Sequence, residues 1–202
     1  DLNVFNKQPN ANQSNNYVSA LYLKGYAFFN QQILKQAEHI FRQYIEKADS
    51  KQKTYSDALN RLGDCQFNSR QFADAIETYD RVIQLSNYGV DYALFQKGHA
   101  LGLLHRYKDK IQTLERLSTR YPRSDYADDA LYETARAHLQ LDQNNEAIGV
   151  YMRIIGQYPR SNKASKAALE LGMTYRTLHQ YNKAIASFKS TIEKYAGSED
   201  AY

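Results

Sequence analysis

YPRS at residues 121–124 returns at 158–161, and a third form, YAGS, stands at 195–198. Tyr121, Tyr158 and Tyr195 are 37 residues apart at each step, and Ser124, Ser161 and Ser198 keep the same interval. Proline cannot continue an α-helix and restricts the residue before it, so Tyr-Pro reads as a helix end. The serine that follows, with Asp125 or Asn162 beside it, is placed to cap the next helix. YAGS lacks the proline but keeps the tyrosine and serine, so the same turn is expected there. A turn at a fixed interval implies that the elements between the turns recur as well.

Aligned on small residues, five units appear. Gly25, Gly63, Gly98, Ala135 and Gly172 are spaced 38, 35, 37 and 37; they define repeat position 8. Position 3 is alanine in all five units: Ala20, Ala58, Ala93, Ala130 and Ala167. Position 10 is small throughout, with Ala27, Cys65, Ala100, Ala137 and Thr174. Position 20 reads Ala37, Ala75, Lys110, Ala147, Ala184, and position 24 reads Phe41, Tyr79, Leu114, Tyr151, Phe188. Position 28 reads Ile45, Ile83, Ser118, Ile155, Ile192. Steps of four and seven fall on one helical face, so each unit is two helices, A over positions 1–14 and B over roughly 17–30. The small residues admit close backbone approach, and the large side chain at position 24 is expected to fill the space they leave. Neither helix can bury its apolar face alone, so units must stack.

Composition agrees. The 202 residues are 43% apolar, with 9 Gly, 3 Pro and 18 Tyr, a helix-forming balance able to bury a core. No apolar run approaches the roughly 20 residues a membrane helix needs. The single cysteine rules out an intrachain disulfide and a cysteine-rich metal site. The net charge of +4 lies wholly in residues 151–202, which hold 8 basic and 4 acidic side chains. Such charges are usually a solvated helix face, though a basic segment can attract an acidic partner.

The pattern resembles the tetratricopeptide repeat family: a small residue at 8, an aromatic at 11 (Phe28, Tyr175), alanine at 20, an aromatic at 24 and proline at 32 (Pro122, Pro159). The resemblance covers about residues 17–198. It implies an all-α fold, a right-handed α-solenoid of about five helix-turn-helix units with about ten antiparallel helices. The units are expected at 17–50, 51–88, 89–124, 125–161 and 162–198, with a further unit starting at 199–202. Residues 1–16, six of them Asn, break the pattern and read as the tail of a preceding unit and a polar connector. The chain opens at Asp1 and stops partway through the pattern, so both ends are expected to be cuts within a longer array. Lys110 at position 20 departs from the family and is expected to loosen its unit. The form YPRSDYADDALYETARAHLQL (121–141) is similar to bacterial cell-envelope members. These include the periplasmic coordinator of the Tol–Pal system, the repeat lipoprotein of outer-membrane assembly, and long multi-repeat proteins of Bacteroidetes-type bacteria. That similarity implies the envelope or periplasm, with the cytoplasm as the alternative.

In the family, helix A positions 2, 5, 9, 12 and 13 line a concave groove that binds a peptide or partner helix. Carried onto this sequence they give Tyr22, Tyr26 and Phe29; Asp57, Asn60, Asp64 and Phe67; Tyr92, Phe95 and His99; Asp129, Tyr132 and Arg136; and Lys166, Met173 and Arg176. That surface would be aromatic at one end and cationic at the other. Tyr22, Tyr26 and Phe29 read equally as aromatics packed within the array. Chaperone-binding members hold a terminal carboxylate with Lys and Asn at positions 5 and 9. Here those positions are Tyr22, Asn60, Phe95, Tyr132, Leu169 and Tyr26, Asp64, His99, Arg136, Met173, so no carboxylate clamp is expected.

Catalytic and metal readings find little support. Cys65 shares position 10 with Ala and Thr and reads as buried and inert. His99 and His105 lie well around the helix from each other, while His39, His138 and His179 fall in separate units, so no metal site is expected. Each glycine at position 8 is a packing residue, so no phosphate loop and no cofactor are expected. Asp128-Asp129 and Glu199-Asp200 sit at helix starts, where the dipole favours them. No acid, base and nucleophile can be assembled, so the chain is not expected to be an enzyme. The expected function is a protein-interaction scaffold. The alternatives are an end-to-end self-assembling segment and, last, nucleic-acid binding through Lys163, Lys166, Arg176 and Lys183, which is not expected.

Overall fold

The computed structural model describes residues 11–195, with side chains from Asn15 onward. Among the described residues there are ten helices and no strands. The first helices of the pairs are α1 (Ala11–Asn30), α3 (Lys53–Asn68), α5 (Val90–Leu103), α7 (Ala127–Gln140) and α9 (Asn162–Thr177). The second helices are α2 (Leu34–Lys47), α4 (Phe72–Leu85), α6 (Tyr107–Arg120), α8 (Asn144–Gln157) and α10 (Tyr181–Lys194). All five second helices occupy positions 17–30 of their units. The fold is the all-α repeat of helix pairs that the sequence leads one to expect.

The chain falls into two compact parts, one to Ala93 and one from Leu94. In the first, α1 packs on α2, α2 on α3 and α3 on α4, with a lighter α1–α3 contact. In the second, the same order runs through α6, α7, α8, α9 and α10, with a lighter α7–α9 contact. One device recurs in four of the five pairs, the fourth unit having Ala135 in place of the glycine. A Cβ on Gly25 would stand 2.7 Å from the Phe41 ring, and one on Gly63 would stand 2.5 Å from the Tyr79 ring. Gly98 meets Leu114, and Gly172 meets Phe188, in the same way. The large residue at position 24 therefore lies directly on the backbone at position 8. Phe41, Tyr79, Leu114 and Tyr151 are fully buried, each contributing about 1.5–3 kcal/mol.

The turn inside each pair has a feature that residue types signal only weakly. Position 15 is left-handed in every unit: Gln32 (φ 59°), Arg70 (61°), His105 (56°), Asp142 (56°) and His179 (57°). The next residue donates its N–H five residues back, as Gln71 does to the Gln66 carbonyl at 2.8 Å and Gln180 does to that of Tyr175 at 2.9 Å. This is the Schellman closure, built here without glycine. His105 and His179 add a ring contact to the hydroxyls of Tyr107 and Tyr181, each at 2.9 Å.

The turns between pairs follow the YPRS reading closely. Tyr121, Tyr158 and Tyr195 each stand at the C-cap of a second helix. Ser161 is the N-cap of α9, and its hydroxyl accepts from the Lys163 N–H at 2.9 Å. Ser124 accepts from the Tyr126 N–H at 3.2 Å and so closes the turn ahead of α7 rather than capping the helix itself. Ser198 and the expected sixth-unit start at 199–202 lie outside the described residues. The Tyr158 hydroxyl donates to the Pro122 carbonyl at 2.9 Å, and Ser161 bonds Asp128, so successive turns are tied together.

Two expectations need correction. The polar connector is helical from Ala11, so residues 11–16 extend α1, while residues 1–10 lie outside the described residues. Once Leu21 and Gly25 dock on α2, each further turn of α1 extends an existing helix and needs no new nucleus. Lys110 does not loosen its unit. It is buried (7% exposed) and its Nζ lies 2.5 Å from Glu133 Oε2. Gly102 makes this fit, since a Cβ there would stand 3.2 Å from the Lys110 side chain.

Candidate functional site

In the first part, the candidate residues converge on two carboxylates. Tyr22 donates to Asp57 Oδ2 at 2.7 Å, and Tyr26 donates to the same oxygen. Burial and then the Asp57 bond push the Tyr22 hydroxyl up to about 12, and the same causes raise Tyr26. Both phenols therefore stay protonated donors. Their rings meet edge-on at 5.1 Å, and Tyr26 also packs on Phe41 at 5.6 Å. Two turns along α3, Asp64 is 3% exposed and accepts from Tyr79 at 2.8 Å and Tyr92 at 2.9 Å. Arg61 pairs with Asp64 at 2.6 Å. Its guanidinium lies 5.5 Å from the Phe29 ring centre and 4.9 Å from that of Tyr92. Burial works against that charge, but the Asp64 carboxylate and the groups around it outweigh burial and raise the arginine further.

Tyr22, Tyr26, Phe29, Asp64 and Tyr92 thus form one internally bonded network with Asp57 and Arg61. Asn60 is 2% exposed and donates to the Gly89 carbonyl at 3.2 Å, fixing the turn before α5. Asn60 and Asp64 are framework beneath the surface. Phe67 stands apart, edge-on to Phe72 at 5.4 Å.

The second part differs. Phe95 stacks on Tyr126 at 5.2 Å and receives the edge of His99 at 4.5 Å. Burial pushes His99 below its ordinary value, so its ring is neutral near pH 7. Burial alone would raise the Glu133 carboxyl, but the Lys110 bond and the charges of Lys110 and Arg136 hold it below the usual carboxylate range. Arg136 reaches Glu133 at 3.2 Å yet keeps 61% of its side chain in solvent. Lys163 pairs with Asp129 at 2.7 Å and lies 5.8 Å from the Tyr132 ring centre. On α9, Lys166, Met173 and Arg176 are exposed on one face. That face can accept carboxylates around an exposed thioether.

Arg61 was not among the sequence candidates, and Lys163 entered only as part of the nucleic-acid alternative. Arg61 was legible in principle, because Arg and Asp three apart on a helix form a local pair. Cys65 is fully buried, and burial pushes its thiol up to about 12. Among the described residues no three His, Cys, Asp or Glu side chains cluster to hold a metal, and no helix is long and apolar enough to cross a membrane.

Two family models, both described as tetratricopeptide repeat, match the sequence: one at residues 22–90, the other at 129–161 and 166–198. Several solved structures share the fold. MamA 41-end from Desulfovibrio magneticus RS-1 is 16% identical, with 90% of this chain and 97% of that chain covered at a TM-score of 0.71. A MamA RS-1 ArsTM double mutant is also 16% identical, covering 90% and 96% at 0.72. YrrB, described as a TPR protein with an unusual peptide-binding site, is 15% identical, covering 90% and 88% at 0.65. No curated protein sequence matches the chain.

Proposed function

The chain belongs to the tetratricopeptide repeat family, and from that premise we propose that it is a non-catalytic scaffold binding an acidic peptide or partner helix on the first-helix face of its last two units. The family supports protein binding in general. The observation that carries the finer reading is the contrast between the two parts. Around α1 and α3 the charged and phenolic groups bond one another. Along α7 and α9 the same repeat positions carry Arg136, Lys166, Met173 and Arg176 in solvent. Lys166 and Met173 are two turns apart, about 10 Å, a span that an extended segment or a helix can bridge. The tyrosines of the first two units shape the scaffold and hold its neighbouring helices in register. Placement in a bacterial envelope complex is part of the proposal and rests on the Tyr-Pro-x-Ser turn and the alanine-rich start of α7.

The test uses the chain as bait in extracts of its own cells, beside a variant carrying Arg136→Glu, Lys166→Glu and Arg176→Glu. All three side chains are exposed, so the variant should keep its helical circular dichroism. A partner recovered by the first bait and lost from the second supports the reading. Equal recovery by both baits refutes it. Fractionation of the same cells tests the envelope placement, and a purely cytoplasmic chain would exclude it.

A further inference from the structure

The second-helix face of the last two units carries a groove of about 440 Å³ between α8, α9 and α10. Its lining is largely apolar, with Met152 and Ile155 from α8 and Leu171 and Tyr175 from α9. The α10 wall is low: Ala186, Ser187 and Ser190 line it. The Ser187 hydroxyl turns back to the Ala168 carbonyl at 3.1 Å, so it is not offered to the groove.

Comparison of the units shows why the groove is open. Position 26 is Arg81, Arg116 and Arg153 in the second, third and fourth units, and Ser190 in the fifth. Arg153 leaves α8 to reach the Ser118 carbonyl on α6 at 3.5 Å, and bonds Gln157 at 3.0 Å, so its stem lies across the gap between second helices. Ser190 is too short to bridge the corresponding gap to α8.

Charge indicates what fits. Lys183 and Lys194 mark the two ends of the groove, and none of its lining residues is a carboxylate. They are eleven residues apart on α10, about 16 Å along the axis and within about 20° of the same face. The Lys183 ammonium stands 5.4 Å from the Tyr175 ring centre, over the groove floor. A ligand with one anionic head would meet one lysine only. A helix lying along α10 would meet both, with its apolar side chains directed between them. We propose that this groove takes a helix of a partner protein that carries two carboxylates three turns apart with an apolar face between. This site goes beyond the function proposed above. Residues 168, 171 and 175 point about 150° away from 166, 173 and 176 around α9.

The probe is a fluorescein-labelled stapled helix with Glu at both ends of a three-turn span and Leu on the same face between. Its control has Lys in place of both Glu. Fluorescence anisotropy with the full chain should show the Glu helix binding at least about tenfold tighter than the Lys helix. Ser190→Arg should weaken the Glu helix at least about tenfold while leaving the melting profile intact, because three other units carry arginine at that position. Lys183→Glu with Lys194→Glu should invert the preference between the two helices. The Arg136→Glu, Lys166→Glu, Arg176→Glu variant should bind the probe like the wild type, which separates this site from the first-helix face. Equal binding of the two helices, indifference to Ser190→Arg, or loss of binding in that triple variant would overturn the proposal. So would a tenfold gain on removing residues 196–202, which would make the chain's own end the occupant. A dimer dispersed by Ser190→Arg in sedimentation would overturn it in favour of a second copy.

Discussion

Gly63→Ala and Gly149→Ala are the same substitution in the same kind of helix, and the structure gives them opposite signs. In an open helix, replacing Gly by Ala stabilises by about 1 kcal/mol. Gly149, in α8, has nothing within 4 Å of the place an added methyl would take, so Gly149→Ala should gain about 0.5–1 kcal/mol. At Gly63 the methyl would stand 2.5, 2.8 and 2.9 Å from three atoms of the Tyr79 ring. That ring is fully buried and its hydroxyl is bonded to Asp64, so it cannot swing aside without breaking the bond. Overpacking costs about 1–3 kcal/mol, and a weakened bond to a buried carboxylate adds about 1.5–3 kcal/mol. After the propensity gain of about 1 kcal/mol is subtracted, Gly63→Ala should lose about 1.5–5 kcal/mol. Urea unfolding followed by circular dichroism would read both variants, with amide exchange on α3 and α8 locating each effect in its own part of the chain. A neutral or stabilising Gly63→Ala would refute the claim that contact between positions 8 and 24 sets the helix pairing.

The same geometry sets the outcome of other perturbations. Lys110→Ala restores the family's residue yet should destabilise by about 1.5–3 kcal/mol in urea unfolding, because it leaves the Glu133 carboxylate with the exposed Arg136 alone. Glu133 titrates lower in the folded chain than in the unfolded one, so its contribution is full above about pH 4.3 and fades as pH falls through the folded value; Lys110→Ala should flatten that limb. His99 also titrates lower when folded, so its contribution is full above about pH 6.5 and is lost as pH falls below it, a slope that His99→Gln should remove from the stability profile. Cys65 should react with a thiol reagent no faster than the chain opens, and fast reaction in native buffer would contradict its burial. Arg70→Gly should stabilise by about 0.5–1 kcal/mol in urea unfolding, since a left-handed conformation strains a residue with a side chain more than it strains glycine.

Much of this was legible in the sequence because packing imposes a period. A small residue at 8 beneath a large one at 24 has to recur wherever the pair recurs, and Gly63 with Tyr79 repeats what Gly25 does with Phe41. The second helices were legible in place and approximate extent because their apolar positions are spaced four apart. The left-handed turn at position 15 was only weakly marked: His105, Asp142 and His179 are of types enriched at positive φ, but Gln32 and Arg70 are not. Lys110 misled because its compensation, Gly102, lies eight residues away on another helix. The site was read less well than the fold. Position rules place Tyr22, Tyr26 and Asp64 on the groove side of their helices, but only coordinates show that they bond into one network. Ser190 went unnoticed because its meaning lies in the arginine it lacks.

The bond from Tyr158 to the Pro122 carbonyl has a consequence for how such a chain can change its length. The 158–161 turn supplies the hydroxyl of this joint and the 121–124 turn the carbonyl, and because the two share one sequence each contains both groups. A duplicated stretch of 37 residues would arrive with its own connector and dock at either side without any new contact having to be selected. The joint after the second unit, where Ser86 and Gly89 make the turn, has no such symmetry. Growth and loss of units by duplication and deletion should therefore concentrate in the half of the gene that encodes the Tyr-Pro turns.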